Sequence, residues 1–222
     1  MWRDAMVIAG RDLRIERRSR VVTNQVLPFA LLVLVLFAFA LDPDRGVLAR
    51  AAAGLFWVAV LFSALLAIQR SFALEASDEA RDGLRLSGLD PAGIFLGKAL
   101  AVALQLVVLE AFLTAGIAVF YGSDLHGPLL LAATALLATI GLAAAGTIYG
   151  VLAAGLRVRE TLLPLLVLPV VAPVLLAATR AWEAGLEGVP GEGWSWLRIL
   201  GVFAVVYVAA GVAAFGALLE DA

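Results

Sequence analysis

Cysteine is absent from the 222 residues, and histidine occurs once, at His126. The first absence excludes disulfides, thiolate metal sites and thioether-linked cofactors. The second leaves almost no material for a metal centre. Charge is scarce as well. Asp, Glu, Lys and Arg make up 15% of the chain and the net charge is −2, so no overall field points to nucleic acid. No GxxxxGK[ST] loop is present to cradle a phosphate, and no HExxH or GxSxG supplies a hydrolytic centre. An enzyme of its own is not written here. If the protein does energised work, another chain burns the nucleotide.

What is present is hydrocarbon. The chain is 63% hydrophobic, with a mean hydropathy of +1.01. A bilayer-crossing helix needs about 20 mostly apolar residues. Six runs qualify, roughly 21–41, 51–69, 94–120, 129–153, 161–179 and 197–219. They are continuously apolar rather than alternating, which selects helices over barrel strands. The expected fold is an all-α integral membrane protein with one permease-like domain over 1–222. The run 161–179 carries Pro164, Pro169 and Pro173, each of which removes a backbone donor. This predicts a kinked or broken span.

Basic residues set the expected orientation. Arg3, Arg11, Arg14, Arg17, Arg18 and Arg20 precede the first span; Arg70, Arg81, Arg85 and Lys98 flank the loop after the second; Arg157 and Arg159 follow the fourth. Only Arg45, Arg50, Arg180 and Arg198 flank the opposite loops. The excess places both termini in the cytoplasm. The stretch 181–196, with Trp182, Trp194 and Trp196 among Glu183, Glu187 and Glu192, then reads as an outer loop with interfacial indoles. A cleavable signal peptide ending near Ala38-Phe39-Ala40 is the rival reading of the N-terminus. The long lead bearing Asp4, Asp12 and Glu16 argues against it.

Four features stand out against this background. Trp2, Met6, Ala9 and Leu13 form one helical stripe among arginines, the pattern of a helix lying in the membrane interface. SDEARDGLRLSGLDP (77–91) is a polar insert between two spans. Ser77 can cap a short helix, Asp78 and Glu79 suit its first turn, and Gly88 can end it. Asp90-Pro91 then begins the next helix. Glu110, with Thr114 one turn on, lies deep in the third span. A charge there costs roughly 2.5–3.5 kcal/mol on insertion scales, so the pair marks either a transport path or a subunit seam. Gly146 and Gly150, extended by Ala154, make a small ridge for close helix packing. His126, in SDLHGP, is a turn residue and a weak candidate haem ligand.

RDLRIERRSR (11–20), LFWVAVLFSALLAIQRSFALE (55–75), GLRLSGLD with IFLGKALA (83–101) and LLPLLVLPVVAPVLLAA (162–178) resemble the B subunit of the bacterial haem exporter of cytochrome c maturation, the CcmB family. The likeness follows the chain in order and at the family's length. It implies an ABC-2-type permease subunit in the bacterial inner membrane, expected as a homodimer. Two copies would work with two copies of a cytoplasmic ABC ATPase, a haem-handling C subunit, a small D subunit and, indirectly, a periplasmic haem chaperone. The partner ATPase would bind ATP, and haem would be cargo rather than a covalent cofactor. The 77–90 loop would be a coupling helix docking on the ATPase through Ser77, Asp78, Glu79, Arg81, Asp82, Leu84 and Leu86. The chain has Ser77-Asp78-Glu79-Ala80 where relatives commonly read Glu-Asp-Gly-Ala, and no haem-binding signature carries over. An ABC-2 permease for a lipid-linked glycan or drug, or a non-transporting scaffold for haem-chaperone release, are the alternatives.

Overall fold

The computed structural model describes residues 1–20, 22–41, 45–73, 88–123, 125–154 and 159–221. Residues 74–87, which hold most of the polar insert, lie outside the described residues. In chain order the helices are α1 (Trp2–Ser19), α2 (Leu27–Leu41), α3 (Arg45–Ala73), α4 (Pro91–Phe120), α5 (Pro128–Ala154), α6 (Arg159–Leu186) and α7 (Pro190–Asp221). Among the described residues six helical stretches are long and apolar enough to cross a membrane: α3 to α7 each contain one, and the first, Asn24–Leu41, joins the end of a π-helical turn (Val22–Val26) to α2.

Helix α5 is a hub, packing against α3, α4, α6 and α7. Its alanines and glycines explain this position, because small side chains let several helices approach at once. At Gly146 a Cβ would lie 2.0 Å from Ile68 Cδ1, and at Gly150 it would lie 2.3 Å from the Phe72 ring. The Gly146–Gly150 ridge is therefore filled from within the chain, by α3. The α2 helix, by contrast, packs chiefly on α3 and α4 and leaves Phe29, Leu32, Leu36 and Phe39 exposed.

The proline-bearing span, expected to be kinked or broken, is unbroken: α6 runs continuously through Pro164, Pro169 and Pro173. Tyr207 of α7 donates its hydroxyl to the Val170 carbonyl at 2.7 Å, one residue beyond the carbonyl that Pro173 leaves without an intrahelical donor. Nor is 181–196 a loop. Helix α6 continues to Leu186 and α7 begins at Pro190, so only 187–189 connect them. Trp182 is 1% exposed. It stacks on Phe56 with ring centroids 3.8 Å apart, meets Trp57 edge-on at 5.9 Å, and donates Nε1–H to the Leu131 carbonyl at 3.2 Å. Its indole belongs to the core, not to an interfacial belt.

Candidate functional site

The polar insert leaves α3 and returns into α4, so the ends of these two helices are its stems. The return stem is built as the Asp-Pro pair predicts. Asp90 caps α4 by accepting from the Ala92 N–H at 3.2 Å, and Pro91 occupies the first turn, where its missing donor costs nothing. Gly88 ahead of it has φ of +66°, a conformation glycine adopts freely.

Helix α1 lies across this stem. Gly93 and Gly97 are one turn apart on α4, and neither could carry a side chain. A Cβ on Gly93 would be 2.8 Å from the Met1 carbonyl oxygen; one on Gly97 would be 2.6 Å from the Ala5 carbonyl oxygen and 2.6 Å from Ile8 Cβ. The docked face of α1 is Ala5, Ile8 and Ala9, while Trp2 and Met6 remain exposed. The apolar stripe read from the sequence is thus split: Ala9 is buried and Leu13 half-buried while Trp2 and Met6 are exposed, and the buried Ala5 and Ile8 lie outside it.

Polar side chains tie α1 to both stems. Lys98 of α4 is 1% exposed. Its Nζ lies 3.6 Å from Asp12 Oδ2 of α1, 3.4 Å from Ser71 Oγ of α3, and 4.6 Å from the centroid of the Phe72 ring. Asp12 also accepts from Arg11 Nε at 2.9 Å and from Ser71 at 3.3 Å. One turn along, Glu16 of α1 faces Arg70 of α3 at 3.9 Å. The exposed outer pair contributes little. The buried pair is different, because in a low-dielectric setting neither charge is readily left alone. Three helices thus meet on one lysine at the root of the insert. Charge counting places Lys98 among the flanking positives of a loop; the structure makes it an internal link. The GIFLG spacing at 93–97 is the signal that could have revealed the α1–α4 contact, since it has the same small-xxx-small form as the ridge at 146–150.

At the first turn of α1, Asp4 accepts a hydrogen bond from the Met1 ammonium at 3.2 Å and from the Asp90 N–H at 3.3 Å. The ammonium, followed by that N–H, holds the Asp4 carboxyl below its ordinary range. Asp4 in turn raises the Met1 amine above its own.

The sequence-predicted intramembrane pair lies elsewhere, toward the opposite end of the bundle. Glu110 is 3% exposed. Its Oε1 accepts from Thr139 Oγ1 of α5, and its Oε2 has no hydrogen-bond partner among the described residues. Thr114 donates to the Glu110 carbonyl at 2.7 Å. Both residues line a cleft of about 440 Å³ between α4 and α5. His126 stands apart on an exposed turn, with Nδ1 3.2 Å from the Leu186 carbonyl and its ring against Gly188. No group of three or more His, Cys, Asp or Glu able to hold a metal occurs among the described residues. Ser77, Asp78, Glu79, Arg81, Asp82, Leu84 and Leu86 lie outside the described residues, as does the side chain of Ala154.

The chain is similar throughout its length to known proteins. It is 37% identical over 182 residues to the heme exporter protein B of Paracoccus denitrificans, covering 80% of this chain and 82% of that one. It is 35% identical over 202 residues to the heme exporter protein B of Haemophilus influenzae, covering 89% of each. With the protein of the same name from Pseudomonas aeruginosa the identity is 29% over 211 residues, 95% of this chain and 94% of that one. The family model described as CcmB protein matches residues 3–221, and on that match the chain belongs to the CcmB family.

Proposed function

We propose that the protein is the membrane permease subunit of an ABC-type haem exporter serving cytochrome c maturation in the bacterial inner membrane. The observation that carries this reading is the family match from residue 3 to residue 221. The absence of a phosphate-cradling motif from the sequence supports an outside motor. On this reading a separate ABC ATPase binds and hydrolyses ATP. A haem-handling C subunit, a small D subunit and a periplasmic haem chaperone complete the pathway, and two copies of this chain pair in the complex. Haem is cargo.

The geometry of the stems supports a coupling role for residues 77–90. A loop that transmits motion must be rigidly joined to the spans it moves, and here α3, α4 and α1 converge on Lys98. With α1 at the cytoplasmic interface, Trp2 and Met6 turn toward lipid, and an ATPase gripping the insert would pull on two spans and this helix together. The test is affinity purification of the tagged chain from its own membranes in mild detergent. An ABC ATPase should co-purify with wild type. It should be lost from Leu84→Asp, which places a charge where an apolar docking contact is expected. Undiminished ATPase recovery with Leu84→Asp would refute docking through this loop. Normal cytochrome c yield in cells lacking the chain would refute the pathway.

A further inference from the structure

The α4/α5 cleft has chemistry that the exporter reading does not use. Its volume of about 440 Å³ falls within the range of small-ligand pockets. Val107, Leu131, Leu136 and Trp182 give it apolar walls. Its polar groups are Glu110 and Thr114, and no Lys, Arg or His lines it among the described residues. One Glu110 oxygen is satisfied by Thr139 while the other has no partner. Thr114 spends its proton on a backbone carbonyl, which leaves its oxygen as an acceptor. With Glu110 ionised the cleft offers acceptors and lacks a donor, at a depth where a lone carboxylate is costly and a cation that pairs with it is favoured. Ala132 and Leu136 are exposed at its margin, Leu125 is exposed ahead of α5 and Pro128 opens that helix, so a ligand reaches it from the bilayer side.

We propose that this cleft binds an amphiphile carrying an ammonium or comparable N–H donor, with Glu110 as the acceptor and the apolar walls holding the chain. An anionic head, whether a fatty-acid carboxylate, a phosphate or a porphyrin propionate, brings no charge to pair with that carboxylate and is disfavoured. The site is therefore distinct from any path for an anionic cargo, and it stands or falls independently of the exporter reading.

The purified chain, in nanodiscs made only of phosphatidylglycerol, is titrated at pH 7 with dodecylamine and, separately, with dodecanoate. Bound ligand is counted by native mass spectrometry. The expected result is one saturable dodecylamine per chain, held at least tenfold more tightly than dodecanoate. Glu110→Gln should weaken the amine tenfold or more. Ala132→Phe, at an exposed position on the margin, should remove saturable binding while leaving the carboxyl in place, and it keeps the test open if Glu110→Gln does not fold. Equal uptake of amine and carboxylate, or saturable amine binding that survives either substitution in folded protein, would overturn the proposal.

Discussion

The buried link between α1 and α4 makes a quantitative prediction. Lys98 is 1% exposed and the Asp12 side chain 10%. Removing one partner of a buried ion pair typically costs about 3–5 kcal/mol, while replacing both by apolar groups is often close to neutral. The lower end applies here. The Nζ–Oδ2 separation is 3.6 Å, and Arg11 and Ser71 continue to serve Asp12 when Lys98 is lost. We therefore expect about 3 kcal/mol for Asp12→Ala and about 2 for Lys98→Met. Their combination should also cost about 2 rather than the additive 5, because each single change leaves the other charge short of its partner. The readout is local opening of α1. The chain contains no cysteine, so a single Ala9→Cys, at a position buried against α4, reports undocking by its maleimide labelling rate. A loss of 3 kcal/mol corresponds to roughly a hundredfold faster labelling when reclosing outpaces the reagent. Asp12→Ala should show that acceleration, and Asp12→Ala/Lys98→Met should reverse part of it. Strictly additive effects would refute the pairing. Unchanged labelling in all three variants would refute the docking itself.

Three further outcomes follow from other contacts. Gly97→Ala should undock α1, because the new Cβ meets the Ala5 carbonyl oxygen at 2.6 Å, with overpacking worth about 1–3 kcal/mol; Gly54→Ala, with nothing within 4 Å, should leave the same labelling assay unchanged. Trp182→Ala should destabilise the bundle by about 3–5 kcal/mol in detergent unfolding, with Trp182→Phe milder because the stack on Phe56 can persist while the bond to Leu131 is lost. The clasp at the start of α1 should depend on pH on both sides. Asp4 has a lowered folded pKa, so its contribution is present above its unfolded value and lost as pH falls through the folded one; the Met1 amine is raised, so its contribution is present below its unfolded value and lost as pH rises through the folded one. Labelling of a cysteine at Ala5 should be slowest between those limits, and Asp4→Asn should flatten the profile.

Much of the fold was legible because the bilayer imposes a length and a composition on every span. The same patterns misled where a side chain's partner decided its role. Trp182 sits among glutamates and arginine, a composition suited to a loop, yet Arg180 and Glu183 pair across one helical turn at 2.9 Å and the helix continues past them. Its indole then faces Phe56, a residue 126 positions away, which no local pattern reports. Lys98 counts in the sequence as a positive flanking a loop, because its burial is a property of three converging helices. Glu110 was recognised by its cost in hydrocarbon, and Thr114 by its spacing. Thr139, the residue that hydrogen-bonds Glu110, carries no signal in an apolar run because small hydroxyl side chains are common there.

On the proposed function, residues 77–90 face the cytoplasm and are held by a separate ATPase. Cysteine placed at Ser77 tests it directly, in whole cells and inverted membrane vesicles, with a membrane-impermeant maleimide. The expected result is no labelling in intact cells, labelling in vesicles stripped of the ATPase, and protection when the ATPase is bound. Labelling from the outer face of intact cells would contradict it.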